Sequence, residues 1–449
     1  MSASAANRRR GIHFLAGALL FAFVVRLCIG MLYTNYFDIS WYLNWARALP
    51  DGFFNCYVRL TDGQYALDYP PVYLVILYLV GWLYRFIPLE RYEMFEMLAM
   101  KFFPILFDIL AAMMLYLCCR RRGENIALLA ACFWALNPSA VFNAACWGQT
   151  DGMMLFFLLL SFYTVENGRP VLGSVLFAVA GLAKMQTLYF TPVLFLYLLR
   201  RYKWEKTVLG VGAAMATGYG AFVPFILGSW PARGAMSLVL PFEVYFGGLG
   251  KYPYAALNTY NLYGLFNLNW VSDSKSLFFG HPDPETGMMV GGFTLNMLSL
   301  LFILGALALL AVVMLRGRED GSLWAGSFLF MQCIFMLTTR QHERYQIVVL
   351  PFALLLFVWS RQMRHMWLFI ALSLTTFVNQ FMLLIRNNTI NDPAAPWNAI
   401  FEPAQVIFSA VNLLLFAWGA AEVWLYAFRK DTPPAEPEET VPPAKEATA

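Results

Sequence analysis

Apolar residues along this chain gather into thirteen runs that are separated by short polar segments. Most of the runs approach the ~20 apolar residues that a helix needs to cross a bilayer. The pattern therefore predicts a protein built from many membrane-crossing helices. The runs lie at 11–33, 71–88, 102–119, 126–146, 152–166, 171–185, 187–199, 207–229, 291–315, 322–338, 346–359, 366–385 and 403–427.

Basic residues between the runs indicate how the helices are oriented. Clusters of Lys and Arg occur at 8–10, 120–122, 200–203 and 316–318, and the positive-inside rule places such clusters in the cytoplasm. All of them can be cytoplasmic only if the run 71–88 lies along the outer surface or re-enters the membrane. About twelve spanning helices then remain, with both termini in the cytoplasm.

The composition agrees with a membrane protein. The chain is 60% hydrophobic and 13% charged, whereas soluble domains carry about 25% charged residues. The net charge of +4 is too small to indicate a nucleic-acid surface. The seven Cys and four His form no CxxC or His-rich set, so neither a disulfide framework nor a zinc site is predicted.

The expected fold class is an all-α polytopic membrane protein with one transmembrane domain over 1–428. Two long outer loops, 34–100 and 229–290, are rich in aromatic residues, which predicts surface helices at the headgroup level. The segment 429–449 is rich in Pro, Glu, Ala and Thr and predicts a disordered cytoplasmic tail.

A polar stretch at 147–152 interrupts two apolar runs on the outer side. It holds Trp147, Gln149 and Asp151. Polar groups at such a position indicate a functional site, although an ordinary turn between two helices would look the same.

Acidic residues in the first outer loop are candidates for chemistry. Asp38 comes soon after the first apolar run and could act as a general base, or it could be a helix N-cap. Asp68 precedes Tyr69 and two prolines, so it could cap the next helix or bind sugar hydroxyls.

Cations on the outer side do not determine how the helices are oriented, because the positive-inside rule places such cations in the cytoplasm. Lys184 and Gln186 form one outer turn, and Arg340, His342 and Arg344 form another. A phosphate would pair with such a set. Pairing within the protein, for example of Lys184 with Asp151, explains it equally well.

Taken together, these segments resemble the GT-C superfamily of membrane glycosyltransferases, most closely the bacterial relatives of the second GPI-anchor mannosyltransferase. Residues 68–71 are also similar to the dolichyl-phosphate-glucose glucosyltransferases of N-glycan assembly. The resemblance is carried by Asp38 with Trp41 and Trp45, Tyr69-Pro70-Pro71, Asn137-Pro138, the stretch 147–151, Lys184-Met185-Gln186, and His342-Glu343-Arg344-Tyr345 ahead of Pro351.

The resemblance implies that Asp38 is the catalytic base and that His342 and Arg344 contact the donor phosphate, helped by Lys184 and Arg340. Sugar or acceptor contacts are then expected from Asp68, Tyr69, Trp147, Gln149, Asp151 and Gln186. Some superfamily members bind a divalent metal at a second acidic motif. Here that motif reads Gln149-Thr150-Asp151, with a single acid, so no metal or other cofactor is expected.

The expected function is inverting transfer of a hexose, with mannose favoured, from a polyprenyl-phosphate sugar. The acceptor would be a lipid-linked glycan, a glycolipid or a protein on the non-cytoplasmic face. The expected membrane is the bacterial inner membrane, or the endoplasmic reticulum in a eukaryote. The alternatives are a transporter or flippase of an anionic or lipid-linked substrate, and a non-catalytic membrane scaffold.

Overall fold

The computed structural model describes residues 3–61, 66–88, 91, 93–389 and 396–429. The described residues are 78% helical, which confirms the expected all-α polytopic class. The tail expected at 429–449 lies outside the described residues except for Arg429, and so do the few outer-loop positions between the described ranges.

The N-terminal half supplies eleven of the α-helices found in the described residues. They are α1 (Ala3–Leu32), α2 (Tyr36–Ala48), α3 (Cys56–Arg59), α4 (Pro71–Phe86), α5 (Glu93–Cys119), α6 (Glu124–Ala135), α7 (Pro138–Ala145), α8 (Asp151–Glu166), α9 (Pro170–Ala183), α10 (Thr191–Arg201) and α11 (Trp204–Gly220).

The C-terminal half supplies eight further α-helices and four short strands in the described residues. They are α12 (Val223–Arg233), α13 (Leu240–Gly250), α14 (Leu262–Leu265), β1 (Ser276–Phe278), β2 (His281–Pro282), β3 (Met289–Val290), β4 (Phe293–Thr294), α15 (Leu295–Arg316), α16 (Ser322–Leu337), α17 (Leu350–Ser360), α18 (Met363–Asn388) and α19 (Pro396–Phe428).

Six segments among the described residues are long and apolar enough to cross a membrane, so the expected twelve spans are not confirmed. They are Arg10–Leu32, Glu93–Arg122, Val223–Gly248, Leu295–Arg316, Met363–Asn388 and Ala399–Phe428. A seventh is present if α6 and α7, which meet at a bend of 47°, form one span. The bend has a local cause, because Asn137 caps the start of α7 and Pro138 cannot continue α6.

Several predicted runs are divided in the structure, which accounts for the lower number. The run 187–199 becomes the 3₁₀ segment Met185–Phe190 followed by α10, and the run 346–359 becomes the 3₁₀ segment Tyr345–Val349 followed by α17. The remaining apolar helices are too short to span alone. One of these, α16, is buried over nearly its whole length, so its apolar side chains contact other helices.

The second outer loop is shorter than the predicted 229–290. Helix α12, a 3₁₀ turn and α13 extend to Gly250, and irregular backbone begins only after it. Two antiparallel ribbons follow, β1 with β4 and β2 with β3. These strands were not expected, and each holds two or three residues.

A buried ion pair fastens α1 to α5. Arg26 donates from Nε and Nη2 to Asp108 Oδ2 at 3.0 and 2.6 Å, and Trp134 Nε1 donates to Asp108 Oδ1 at 3.2 Å. Asp108 is therefore a structural partner of a buried cation, as buried charges require.

Candidate active site

The outer ends of the helices enclose a cavity of about 530 Å³. Its walls come from α2, the segment before α4, the turn after α9, the end of α13 and the segment that follows α16. Eight of the predicted site residues line it: Asp38, Asp68, Tyr69, Trp147, Lys184, Gln186, His342 and Arg344.

Asp38 lies in the first turn of α2 but does not cap it. The N-cap is Asn35, whose side chain accepts a hydrogen bond from the backbone N–H of Phe37, so the N-cap interpretation of Asp38 is wrong. The carboxylate of Asp38 instead receives a hydrogen bond from Gln149 Nε2 at 2.9 Å. Burial raises the pKa of Asp38, and the nearby Arg344 cation opposes the rise.

The polar stretch at 147–151 folds into a turn that presents Gln149 to Asp38. Gly148 has a φ of +63°, a left-handed conformation that glycine adopts without strain. The backbone N–H of Gln149 donates to Asn143 O at 3.1 Å. Tyr42 in α2 donates its hydroxyl to Gln149 Oε1 at 3.2 Å. Gln149 is therefore held from both ends beside the carboxylate.

Lys184 forms the internal ion pair that the sequence left as an alternative. Its Nζ donates to Asp151 Oδ1 at 2.7 Å, and Asn143 Nδ2 donates to Asp151 Oδ2 at 3.1 Å. Asp151 does not line the cavity, whereas Lys184 does. Burial lowers the pKa of Lys184, and Asp151 acts against this. Asp151 thus neutralises most of the Lys184 charge.

The segment after α16 carries the cationic side chains into the cavity. Residue 342 pairs with Leu257 in an isolated β-bridge, which fixes the segment against the second outer loop. Arg344 Nη1 lies 2.6 Å from Glu343 Oε1 and 3.7 Å from Asp38 Oδ2. Its guanidinium lies 5.6 Å from the ring centroid of Trp147.

The ionisation of this segment follows from burial and from the mutual contacts of its side chains. Burial lowers the pKa of His342, and the adjacent Glu343 works in the opposite direction. Burial alone would raise the pKa of Glu343, but Arg344 and His342 outweigh it and lower that pKa to about 2. At neutral pH, Glu343 is therefore ionised and His342 is a neutral hydrogen-bonding group.

Two donors in the cavity wall lack a hydrogen-bond partner within the described part of the chain. They are Arg344 Nε and Trp147 Nε1. Because buried donors are nearly always paired, these two atoms are exceptions that keep unused hydrogen-bonding capacity. Arg344 presents this donor beside Asp38.

Arg340 does not belong to this cavity, contrary to the sequence-based expectation. Its φ is +63°, and its Nε donates to Asp273 Oδ2 at 2.7 Å. The side chain therefore pairs with the second outer loop. It contributes to the wall of a neighbouring cavity instead.

This second cavity, of about 860 Å³, is mostly apolar. It lies among α9, α10, α11, α13 and α15. It shares with the first cavity Met185, Gln186, Gly248, Tyr252, His342 and Tyr345. Of the phosphate-binding candidates, His342 contacts both cavities, whereas Lys184 and Arg344 line only the first.

Sequence reasoning missed several lining residues on the second outer loop, among them Lys251, Tyr252, Asn258 and Trp270. A signal existed for Lys251, because it is a cation on the outer side, as Lys184 is. The others lie in irregular backbone, and no periodic pattern marks them.

Among the described residues, no three or more His, Cys, Asp or Glu side chains are grouped as metal ligands would be. Asp38 is engaged by Gln149, and Asp151 is engaged by Lys184 and Asn143. Three carboxylates line the cavity, those of Asp38, Asp68 and Glu343, and two of them, Asp38 and Glu343, face Arg344.

The described residues thus form an all-α polytopic membrane protein in which the carboxylate of Asp38 and the guanidinium of Arg344 line one cavity. A model of the ALG6, ALG8 glycosyltransferase family matches residues 57–392, well over half of the chain. The chain therefore belongs to this family, which is of the GT-C type. The match includes Lys184, His342 and Arg344 and begins after Asp38.

One relative is the dolichyl pyrophosphate Glc1Man9GlcNAc2 alpha-1,3-glucosyltransferase of Arabidopsis thaliana, which is 39% identical over 85 residues. The aligned segment covers 17% of each chain, so the two proteins share a short region. The resemblance to GT-C enzymes is confirmed, whereas the closer likeness to mannosyltransferases is not.

Proposed function

We propose that this protein is an inverting glycosyltransferase that moves a hexose from a polyprenyl-phosphate sugar to an acceptor hydroxyl on the non-cytoplasmic face of the membrane. One observation carries the proposal. Asp38 and Arg344 line one cavity, and this cavity shares His342 and Tyr345 with an apolar cavity. A base, a phosphate site and a space for an isoprenoid tail therefore adjoin each other.

The donor phosphate binds against Arg344 and His342. The unpaired Nε of Arg344 donates to a phosphate oxygen, and the neutral imidazole of His342 donates a second hydrogen bond. Negative charge grows on the phosphate as the bond to the sugar breaks. Donors that are already in place stabilise this charge more than they stabilise the bound substrate, which lowers the barrier. The isoprenoid tail lies in the apolar cavity.

Asp38 accepts the proton of the acceptor hydroxyl. The acceptor oxygen forms a bond with the anomeric carbon while the bond from that carbon to the phosphate oxygen breaks, and polyprenyl phosphate leaves. The two events take place on opposite faces of the sugar, so the anomeric configuration inverts. Gln149 lies outside the cavity lining, and its hydrogen bond orients the carboxylate of Asp38.

The remaining predicted residues take supporting roles. Asp68, Tyr69, Trp147 and Gln186 line the space for the sugar and the acceptor. Lys184 adds a largely neutralised charge beside the phosphate. The transfer needs no divalent metal or other cofactor.

The similarity to one relative supports a choice of sugar and compartment. The Arabidopsis thaliana protein is named as a glucosyltransferase that acts on a dolichyl-linked glycan. We therefore propose glucose ahead of mannose, and a lipid-linked glycan as the acceptor. A bacterial inner membrane is not confirmed, and the endoplasmic reticulum membrane agrees with this relative.

The first prediction is that Asp38→Asn abolishes transfer. Purified protein is incubated with polyprenyl-phosphate glucose or mannose and a membrane extract as acceptor, with and without EDTA, and released polyprenyl phosphate is measured. A missing general base lowers the rate by a factor of about 10² to 10⁴. Asp51→Asn is the matched control, because Asp51 lies in the same outer loop, pairs with Arg85 and does not line the cavity.

Three results would contradict the proposal: wild-type rates in Asp38→Asn, equal losses in both variants, or no consumption of any donor. Movement of an intact donor across the membrane of a proteoliposome would favour the flippase instead.

A further inference from the structure

An ion pair on the cavity wall joins two segments that are far apart in the chain. Lys251 follows the end of α13, and Asp68 precedes α4. Lys251 Nζ lies 2.6 Å from Asp68 Oδ2 and 4.3 Å from the ring centroid of Trp41 in α2. One ammonium group thus ties the second outer loop to two parts of the first.

This pair lies at the mouth of the cavity. The side chains of Lys251 and Asp68 are each 28% exposed, whereas Asp38 is 18% and Lys184 only 4% exposed. All four line the same space. The ion pair is therefore more exposed than the groups deeper in the cavity, and only residues such as Phe37 and Trp270 of the same wall are more exposed than the pair.

Water at this site would compete with the acceptor. A carboxylate that takes a proton from an acceptor hydroxyl also takes one from water, and the oxygen of water would then bond to the anomeric carbon. The products would be free hexose and polyprenyl phosphate, so the donor would be wasted. A transferase with an aqueous opening needs a structure that keeps water away from the sugar.

We propose that the Lys251–Asp68 pair determines whether the acceptor or water receives the sugar, by closing the cavity mouth over the bound donor. This inference rests on the proposed function, adds Lys251 to it as a positioning residue, and gives Asp68, which already lines the space for the sugar and the acceptor, a second role through its ion pair. The Trp41 ring lies against the Lys251 ammonium group, and a cation held against an aromatic face is restricted in position.

The geometry distinguishes this pair from an ordinary surface ion pair. Arg233 and Glu243 form a comparable pair at 2.7 Å between α12 and α13, but neither residue lines the cavity. Exposed pairs contribute little to stability. Removing either pair therefore leaves the fold intact, and only one of them lies over the site.

The test measures two products from the same donor, free hexose and transferred hexose. Lys251→Met and Asp68→Asn are expected to raise the ratio of hydrolysis to transfer by about tenfold, the scale of one ion pair with its cation–π contact. The double variant Lys251→Asp with Asp68→Lys is expected to lower the ratio again. Arg233→Met serves as the control and keeps the wild-type ratio. Melting temperatures confirm folding.

An unchanged ratio in Lys251→Met and Asp68→Asn, while the wild type transfers normally, would overturn this inference and leave the proposed function standing. A ratio that rises equally in Arg233→Met would overturn it too. A wild type that consumes no donor would overturn both the inference and the proposed function.

Discussion

The electrostatic balance of the site depends on three neighbouring side chains, Asp38, Glu343 and Arg344. Arg344 lies between the two carboxylates, 2.6 Å from Glu343 and 3.7 Å from Asp38. Glu343 therefore competes with Asp38 for the same guanidinium. Burial raises the pKa of Asp38, Arg344 opposes the rise and the Glu343 anion adds to it, and a carboxylate with a raised pKa is a stronger base once it has lost its proton.

The pH dependence of transfer tests this balance. Asp38 works only when ionised, so the rate falls as the pH decreases through its raised pKa. The Arg344 cation lowers that pKa, and the Glu343 anion raises it. In Arg344→Gln the acidic limb of the pH–rate profile is therefore expected at higher pH, and in Glu343→Gln at lower pH.

The measurement is kcat/KM for transfer across the acidic range, with Asp51→Asn as a variant whose profile stays in place. Shifts in the same direction for Arg344→Gln and Glu343→Gln, or no shift in either, would remove Asp38 from the role of base.

Short turns, rather than the helices that they connect, set the position of the reacting groups. The turn at 147–151 carries Gln149 to Asp38, and it depends on Gly148. A Cβ at Gly148 would lie 2.5 Å from Ile39 Cδ1 and 3.2 Å from Lys101 Cγ. Any other residue here would therefore be strained both by its φ and by its neighbours.

Gly148→Ala is expected to reduce kcat about 10- to 100-fold, because Gln149 would lose its alignment with the carboxylate and small misplacements are costly in catalysis. The strain amounts to roughly 1–2 kcal/mol, so the protein still folds. Gly212→Ala on α11, where an added Cβ meets nothing within 4 Å, is the control. Full activity in Gly148→Ala would show that this turn does not position the base.

The elements differ in how far the sequence predicts them. Long apolar runs such as 11–33 and 366–385 correspond to α1 and α18 within a few residues, because apolar periodicity determines such helices. The expected number of spans is not confirmed, since runs such as 346–359 are divided into 3₁₀ and α segments. The ribbons at 276–294 were missed because strands of two or three residues have no detectable period.

The residues of the site also differ in how far the sequence predicts their positions. Proximity of Asp38, Lys184 and Arg344 was expected because all three are charged and on the outer side. The position of Arg340 was not, because its direction depends on a left-handed backbone and on Asp273, 67 residues earlier in the chain. Pairing between distant loops leaves no local signal, which also explains why Lys251 was missed.

At the scale of the whole molecule, the proposed function assigns the sugar to the first cavity and the lipid tail to the second. The apolar cavity lies between α9, α10, α11, α13 and α15, away from the first outer loop that supplies Asp38. A change in its walls should therefore alter the response to the tail and leave the sugar site unchanged.

Gly218→Phe tests this separation. Gly218 lines the apolar cavity, and an added Cβ there meets nothing within 4 Å, so the ring extends into the space for the tail. The expected result is a KM about tenfold higher for a long polyprenyl donor, equivalent to ~1.4 kcal/mol, with no change for a short-tailed donor.

Gly212 lies on the same helix but does not line the cavity, so Gly212→Phe is the matched control. Equal effects of Gly218→Phe on long and short donors would place the tail elsewhere.

The wall shared by the two cavities has a consequence for turnover. His342 and Tyr345 contact both cavities. In the proposed reaction, the polyprenyl phosphate that remains after transfer therefore still has its phosphate at the site and its tail in the apolar cavity. It must slide sideways into the lipid before a fresh donor can enter. Accumulated carrier would then act as a product inhibitor, and the speed of the enzyme would be coupled to how quickly the cell recycles its lipid carrier.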